Sequence, residues 1–205
     1  MFRNGFFESL SKVHFTVPLL IFVPVIVYFT WKAFVVTGIG AGAYLLWFLV
    51  GLAVWTVTEY LLHRFVFHLA SDSPRMQRIS YVLHGNHHEF PRDKQRLFMP
   101  PVPSIIIASI VFLLMYATMR TNVFAFFPGF ILGYLLYGSM HYAIHAWNPP
   151  FKWMKPIWRN HHLHHYKNEQ RGFGVSSHLW DLIFGTAFDL KKERENKEEV
   201  QKLMY

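Results

Sequence analysis

Residues 40–68 read GAGAYLLWFLVGLAVWTVTEYLLHRFVFH, and this stretch decides the fold. A helix needs about 20 apolar residues to cross a bilayer, and residues 40–62 are long enough, with Glu59 as their only charged residue. The run continues directly into His63 and His68. An apolar helix that ends in histidines predicts an all-α integral membrane protein with a polar site beside the membrane.

Three further apolar runs have similar character, at about residues 13–36, 102–119 and 123–140. The links TGIG (37–40) and RTN (120–122) are so short that each pair of runs must fold back on itself. We therefore expect four transmembrane helices in two antiparallel hairpins, within a single membrane-embedded domain over residues 1–205.

The charge pattern predicts an orientation for these helices. Of the 20 Lys and Arg residues, all except Lys32 and Arg120 fall on one side if the N-terminus, residues 63–101 and residues 141–205 share it. The positive-inside rule makes that side cytoplasmic. We expect a cytoplasmic helical cap at residues 63–101 and 141–190, followed by a solvated charged tail at residues 191–205.

The composition limits the partners and the chemistry. The chain is 53% hydrophobic and 19% aromatic, with a net charge of +8. Because the basic residues lie between apolar runs, we expect membrane lipids as the partner of this charge and no nucleic acid. The chain has no cysteine, which excludes disulfides and thiolate-held clusters. Any metal must be held by imidazole, carboxylate or water.

Ten histidines form four clusters on the predicted cytoplasmic side. The clusters are HxxxxH (His63, His68), HxxHH (His84, His87, His88), HxxxH (His141, His145) and a second HxxHH (His161, His164, His165). On an α-helix, residues three or four apart lie within about 60° of each other. The HxxHH and HxxxH spacings therefore place their imidazoles on one face, where they can converge on a metal ion.

Ten imidazoles exceed the needs of one ion, so the clusters predict a site for two ions with about five nitrogens each. His63 and His68 are about 140° apart on an α-helix, so either they serve different ions or the helix loosens between them. His162 stands about 100° from His161, and we expect it to face lipid headgroups or a polar neighbour. Neutral imidazoles suit Fe, Zn or Cu. Zinc would activate water, whereas iron would activate O₂ against a C–H bond, and a membrane setting favours iron.

Beyond the histidines, four segments resemble the fatty acid 2-hydroxylases of the membrane fatty acid hydroxylase and sterol desaturase superfamily. They are EYLLHRFVFH, HGNHH with PRDKQRLFMPP, GSMHYAIH, and HHLHHYKNEQRGFGVSSHLWDLIFGT, and together they span residues 59–186. The last segment is the most specific, because it is longer than metal binding alone requires.

The resemblance implies that the ten clustered histidines bind two iron ions, with zinc possible in a purified sample. It implies O₂-dependent hydroxylation at carbon 2 of a long fatty acyl chain, either a free acid or the acyl chain of a sphingolipid. It also implies reduction by a cytochrome b5-like or ferredoxin-like protein. Since the fused cytochrome b5 domain of many members is lacking here, we expect a separate donor. The membrane would be the bacterial cytoplasmic membrane, or the endoplasmic reticulum in a eukaryote.

Several other residues are candidates for the site. We expect Glu59 to accept a hydrogen bond from a ligand imidazole, and Asp181 to play a similar supporting role. Tyr134 and Tyr137 share a helical face with His141, and they point either towards the metals or into ordinary aromatic packing. The glycines of GFG (172–174) predict either a close approach of backbone to another element or a plain turn. Trp147, Trp153 and Trp158 are interpreted as interfacial anchors.

Two alternative functions stay open from the sequence. One is another reaction of the same superfamily, such as sterol oxidation, desaturation or carotenoid hydroxylation. The other is a non-catalytic membrane protein that binds or transports metal. The second fits less well, because the histidines cluster on one side of the spans instead of lining a path through them.

Overall fold

The computed structural model describes residues 12–69 and 71–189, and all regular secondary structure within them is helical. The charged tail predicted at residues 191–205 lies outside the described residues. Eight α-helices occur in these ranges: α1 (Thr16–Trp31), α2 (Ala41–Leu62), α3 (Pro74–Ser80), α4 (Asn86–Glu89), α5 (Pro101–Met119), α6 (Val123–Ala146), α7 (Lys155–Tyr166) and α8 (Leu179–Ile183). Three π-helical turns extend or join them, at Lys32–Val36, His63–Phe67 and Tyr81–Gly85.

Three stretches of the described chain are long and apolar enough to cross a membrane: Thr16–Val36, Ala41–Phe67 and Pro101–Ala146. The third contains two helices, α5 and α6, separated by a 3₁₀ turn at Arg120–Asn122. Arg120 has a positive φ of 51°, a conformation that a continuous helix does not allow. The four apolar runs of the sequence thus correspond to four helices in three candidate stretches.

Side-chain contacts show that the chain reverses at both short links. Phe34 lies 4.6 Å from Tyr44 between ring centroids, and the Thr30 hydroxyl lies 2.7 Å from the Tyr44 hydroxyl. At the second link, the rings of Phe112 and Phe127 are 5.1 Å apart. In a straight helix these two residues would be separated by about 22 Å, at 1.5 Å per residue. Helices α1 and α2, and likewise α5 and α6, therefore form antiparallel pairs.

By its internal contacts the chain divides into two compact units. The first, here called the apolar unit, comprises Met1–Val57 and Gln95–Ser139. Its core is rich in aromatic residues from α6, among them Phe126, Phe127 and Phe130, which pack with Trp55 of α2 and Phe22 of α1. Because α1, α2, α5 and α6 are apolar on all sides, they expose large side chains such as Leu20 (73%) and Leu113 (63%), as expected of helices that face lipid.

Two glycines allow α2 and α6 to pack backbone against backbone within the apolar unit. A Cβ atom placed on Gly129 would lie 1.9 Å from the carbonyl oxygen of Phe48, and one on Gly51 would lie 2.1 Å from that of Phe126. Small residues at such contacts are typical of helix pairs in membranes, where packing supplies much of the association energy.

The second unit, here called the histidine unit, comprises Thr58–Lys94 and Met140–Tyr205. Its buried apolar residues include Tyr60, Trp158, Leu163, Phe173 and Val175, each 2% exposed or less. The prediction of an interfacial anchor is wrong for Trp158, whose indole N–H donates to the Trp147 carbonyl oxygen at 2.8 Å. Its side chain lies on the buried face of α7, with Asn160, His161, Leu163 and His164.

Candidate metal centre

The ten clustered histidines come together in the histidine unit as two groups of five. The first group is His63, His68, His84, His88 and His164, and the second is His87, His141, His145, His161 and His165. Within each group the ring nitrogens offered as ligands all lie within 4.8 Å of one another. The groups are adjacent, since the rings of His88 and His165 stack at 4.1 Å. The expected division of about five nitrogens per ion matches this grouping.

The HxxxxH cluster reaches one site because its helix changes type. Helix α2 ends at Leu62, and the next five residues form the π-helical turn His63–Phe67. The backbone N–H of His68 donates to the carbonyl oxygen of His63 at 3.1 Å. This i→i+5 bond is the mark of a π turn and brings residues five apart to the same side. Of the two alternatives from the sequence, loosening of the helix is the one observed.

Each HxxHH motif supplies both groups. In the first motif His84 and His88 join the first group, while His87 joins the second. In the second motif the division is reversed, since His164 joins the first group while His161 and His165 join the second. The two motifs therefore link the two positions, and a shift of either helix would disturb both.

The nitrogen separations fit a metal ion of ordinary size. The Nε2 atom of His84 lies 3.1 Å from Nε2 of His63 and 3.0 Å from Nε2 of His88. In the second group, Nε2 of His161 lies 2.9 Å from that of His145 and 3.1 Å from that of His165. Two nitrogens at about 2.0–2.1 Å from one ion, at right angles, would be about 3.0 Å apart. The donor set therefore fits two imidazole-ligated ions.

Burial favours the neutral form of seven of the clustered imidazoles. Burial lowers the pKa of His68 to about 4, and burial with repulsion from His68 and His141 lowers the pKa of His88 to about 3. Burial, reinforced by neighbouring histidines, also holds the pKa of His84, His87, His161, His164 and His165 well below 6.5. Neutral imidazole is the form that binds metal.

Two histidines of the first group have a fixed tautomer. The Nδ1 atom of His63 lies 2.5 Å from the carbonyl oxygen of Phe173, and that of His164 lies 2.7 Å from the carbonyl oxygen of Arg171. A carbonyl oxygen only accepts, so each Nδ1 carries the proton and donates. Nε2 is then left with a lone pair that points into the group, as a metal ligand requires.

The second group lacks this support on several of its members. Within the described part of the chain, the Nδ1 atoms of His87, His161 and His165 are buried without a hydrogen-bond partner. The two groups therefore have the same ligand type and number but different surroundings behind the ligands.

His162 belongs to neither group. Its Nδ1 lies 2.7 Å from the carbonyl oxygen of Trp158, one helical turn earlier, and donates to it. This is the polar neighbour that the helical spacing allowed, and it directs the ring away from the shared nitrogens of the site.

The two acidic candidates are buried, and their hydrogen bonds within the described residues go to loop residues and not to a clustered imidazole, which Glu59 was expected to contact. Glu59 is 4% exposed and accepts hydrogen bonds from the backbone N–H groups of Val175 and Ser176 at 2.9 Å. Asp181 is fully buried and accepts from those of Phe173 and Gly174 at 2.9 and 2.8 Å. The carboxylates bind a loop, because its four consecutive N–H groups would otherwise be buried without acceptors.

Tyr134 and Tyr137 lie in the apolar unit, in aromatic packing. The ring of Tyr134 makes edge contacts with Phe22 at 5.4 Å and Trp55 at 5.5 Å, and Tyr137 lies 5.9 Å from Trp55. Of the two roles considered from the sequence, packing is the one for which the structure supplies contacts.

The loop of residues 171–176 is the part of the site that sequence reasoning missed. The GFG motif gave a partial signal, and of its two interpretations the contacts favour a turn within the loop itself. A Cβ atom on Gly174 would lie 2.0 Å from the Ser177 carbonyl oxygen, and Gly172 has a φ of +71°. No residue pattern indicates that carbonyl groups of this loop accept hydrogen bonds from His63 and His164.

Comparison with known proteins agrees with this geometry. The fatty acid hydroxylase family model matches residues 48–186, a range that contains all ten clustered histidines. Fatty acid 2-hydroxylase of Homo sapiens is 32% identical over 91% of this chain. The dihydroceramide fatty acyl 2-hydroxylase FAH1 of Arabidopsis thaliana is 33% identical over 96% of it.

The matched region spans 56% of the human relative and 83% of the plant relative. A solved structure of full-length scs7p, in which only the hydroxylase domain is visible, superposes with a TM-score of 0.85. It is 36% identical, and the match covers 92% of this chain and 71% of that one. From the family match and these relatives, the chain belongs to the fatty acid hydroxylase family.

Proposed function

We propose that this protein hydroxylates a long fatty acyl chain at carbon 2, with O₂ as oxidant and two iron ions bound by its ten clustered histidines. The observation that carries the proposal is the pairing of two adjacent groups of five imidazoles. The names of the human and Arabidopsis relatives support a fatty acid or the acyl chain of a dihydroceramide as substrate.

When bound, iron supplies activation of O₂ for attack on a C–H bond. The reaction inserts one oxygen atom into that bond, and the second leaves as water with two protons and two electrons. The electrons require a reductant, which we propose to be a cytochrome b5-like or ferredoxin-like protein. The basic residues of the histidine unit would suit an acidic partner.

The protein's own contribution is to hold and shield the site. His63, His161 and His164 are fully buried, so bulk water is kept from the ligand nitrogens. The carbonyl oxygens of Phe173 and Arg171 accept hydrogen bonds from Nδ1 of His63 and of His164, respectively, and thereby orient the two rings. Exclusion of water from the site would limit side reactions.

The proposal includes a location. The three apolar stretches support an integral membrane protein, and we propose that α1, α2, α5 and α6 all cross the bilayer. The placement of the Lys and Arg residues supports a cytoplasmic histidine unit. The membrane would be the bacterial cytoplasmic membrane, or the endoplasmic reticulum in a eukaryote.

The test is expression in a host that makes no 2-hydroxy lipids, together with a compatible donor, under ¹⁸O₂. We expect 2-hydroxy acids with one ¹⁸O in the new hydroxyl group when the released acids are analysed by mass spectrometry. Folded, iron-loaded protein that yields no 2-hydroxy acid would overturn the assignment. A sterol or carotenoid product would assign the chain to another reaction of the superfamily.

A further inference from the structure

The loop of residues 171–176 contacts two histidines of the first group at Nδ1, the ring nitrogen that faces away from the metal position. The carbonyl oxygen of Phe173 accepts from Nδ1 of His63 at 2.5 Å, and that of Arg171 accepts from Nδ1 of His164 at 2.7 Å. Both imidazoles belong to the first group. The position of this loop therefore determines the tautomer and the ring orientation of two of the five histidines at one metal position.

Two buried carboxylates determine the position of the loop. Asp181 accepts the N–H groups of Phe173 and Gly174, and Glu59 accepts those of Val175 and Ser176, all at 2.8–2.9 Å. The Ser176 hydroxyl also donates to Glu59 at 2.5 Å. Four successive backbone donors are thus held by two side chains that come from α2 and α8.

The same network extends away from the loop. The Thr186 hydroxyl donates to Asp181 at 2.7 Å and lies 3.0 Å from the hydroxyl of Tyr60. The guanidinium group of Arg64 donates to that Tyr60 hydroxyl at 2.9 Å. Oδ1 of Asp181 thus accepts from Thr186 as well as from Phe173, which leaves the carboxylate little freedom to follow a displaced loop.

We propose that Glu59 and Asp181 are positioning residues that set the affinity of the first metal position selectively, through the carbonyl groups of Phe173 and Arg171. The inference rests on the proposed two-metal centre and names the residues that make its two positions unequal. In the second group the Nδ1 atoms of His87, His161 and His165 are buried without partners in the described part of the chain, so they take no hydrogen bond from the loop, and its displacement should act mainly on the first position.

The hydrogen bonds predict different results when each carboxylate is replaced by the corresponding amide. Oε1 of Glu59 accepts both backbone N–H groups, and Oε2 meets a hydroxyl that can also accept. Glutamine can therefore keep every contact. Both oxygens of Asp181 meet a backbone N–H, so the NH₂ group of asparagine must face a donor in either orientation.

The experiment uses the full chain purified in detergent, freed of metal with a chelator and titrated with Co²⁺ while its visible absorption is followed. His68→Ala and His145→Ala identify which step belongs to the first and the second group. We expect Asp181→Asn to weaken Co²⁺ affinity in the step that belongs to the first group by about 10–100-fold. This is the usual effect of removing a hydrogen-bond partner behind a metal ligand. The second step should keep its affinity, and Glu59→Gln should bind as the unmodified protein does.

Equal weakening of both steps by Asp181→Asn, or no weakening, would overturn the inference. If Asp181→Asn does not yield monodisperse protein, Glu59→Ala and Glu59→Gln decide, and equal Co²⁺ binding by this pair would also overturn it. A failure of the unmodified protein to show two Co²⁺ steps is a different result. It would overturn the proposed metal centre, and the inference with it.

Discussion

The ring of His63 and the carbonyl oxygen of Phe173 are joined by a hydrogen bond of 2.5 Å across 110 residues of chain. His63 begins the π turn at the end of an apolar helix, and Phe173 lies in a loop held by two buried carboxylates. This relationship connects the helix that enters the histidine unit with the loop that orients its ligands.

Adjacent histidines on α7 should differ completely in their effect on metal content. His161→Ala removes a nitrogen of the second group, whereas His162→Ala removes a ring that donates to the Trp158 carbonyl oxygen. We expect His161→Ala to lose metal at the second position and to abolish product. His162→Ala should retain both ions and activity, as measured by elemental analysis and product yield. Loss of metal from His162→Ala would mean that the ligand assignment is wrong.

Acid should destabilise the metal-free protein. The pKa of His68 is lowered to about 4 and that of His88 to about 3 in the folded state, against about 6.5 in an unfolded chain. As the pH falls below 6.5, the unfolded chain takes up protons that the folded chain does not, so stability is lost on acidification. The thermal midpoint should therefore fall between pH 7 and pH 5.

The control for the pH experiment is the double variant His68→Gln, His88→Gln. With two of the titrating groups removed, its midpoint should depend less steeply on pH over the same range. An unmodified protein whose midpoint stays constant or rises from pH 7 to pH 5 would contradict the assignment of buried neutral imidazoles.

Gly129→Ala should destabilise the apolar unit. The added Cβ would lie 1.9 Å from the Phe48 carbonyl oxygen, so α2 and α6 must separate. Overpacking of this kind costs about 1–3 kcal/mol, occasionally more. Gly42→Ala is the matched control, because nothing lies within 4 Å of a Cβ there, and it should be neutral or stabilising by up to about 1 kcal/mol. Equal thermal midpoints for both variants would argue against the close helix contact.

Trp158→Phe should be costly and Trp153→Phe neutral. Trp158 is 2% exposed and donates to the Trp147 carbonyl oxygen, whereas Trp153 is 70% exposed. The first change loses a hydrogen bond and buried volume, for a cost of about 1–3 kcal/mol. The second should stay within about 0.5 kcal/mol. Thermal unfolding in one detergent would compare the two variants. A larger loss of stability in Trp153→Phe than in Trp158→Phe would contradict the buried position of Trp158.

Much of the site was predictable because helical spacing acts locally. The spacing of HxxHH selects His161, His164 and His165 and leaves His162 out, and the structure groups them in that way. The apolar runs and their short links likewise predict the antiparallel pairs, since a reversal such as that at Arg120 needs no tertiary information. The resemblance of the long C-terminal segment to the family added the chemistry.

The remaining features depend on contacts between distant parts of the chain. The division of His87 from His84 and His88 depends on contacts between distant segments, such as that of His87 with His165, which spacing does not reveal. Glu59 was expected to contact an imidazole, but it accepts hydrogen bonds from the buried N–H groups of a loop that begins more than 100 residues later in the chain. The Val175 N–H, 116 residues away, is one of these donors. Trp158 was assigned to the interface from its residue type alone, although its helix has a buried face.

The most direct test of the two-metal centre is the metal content of the purified, unmodified protein, with iron and zinc measured together by mass spectrometry. Two groups of five imidazoles predict two ions per chain. Supplying the host with iron should raise the iron share of that total without changing the sum. A content of one ion or none in folded, monodisperse protein would contradict the account.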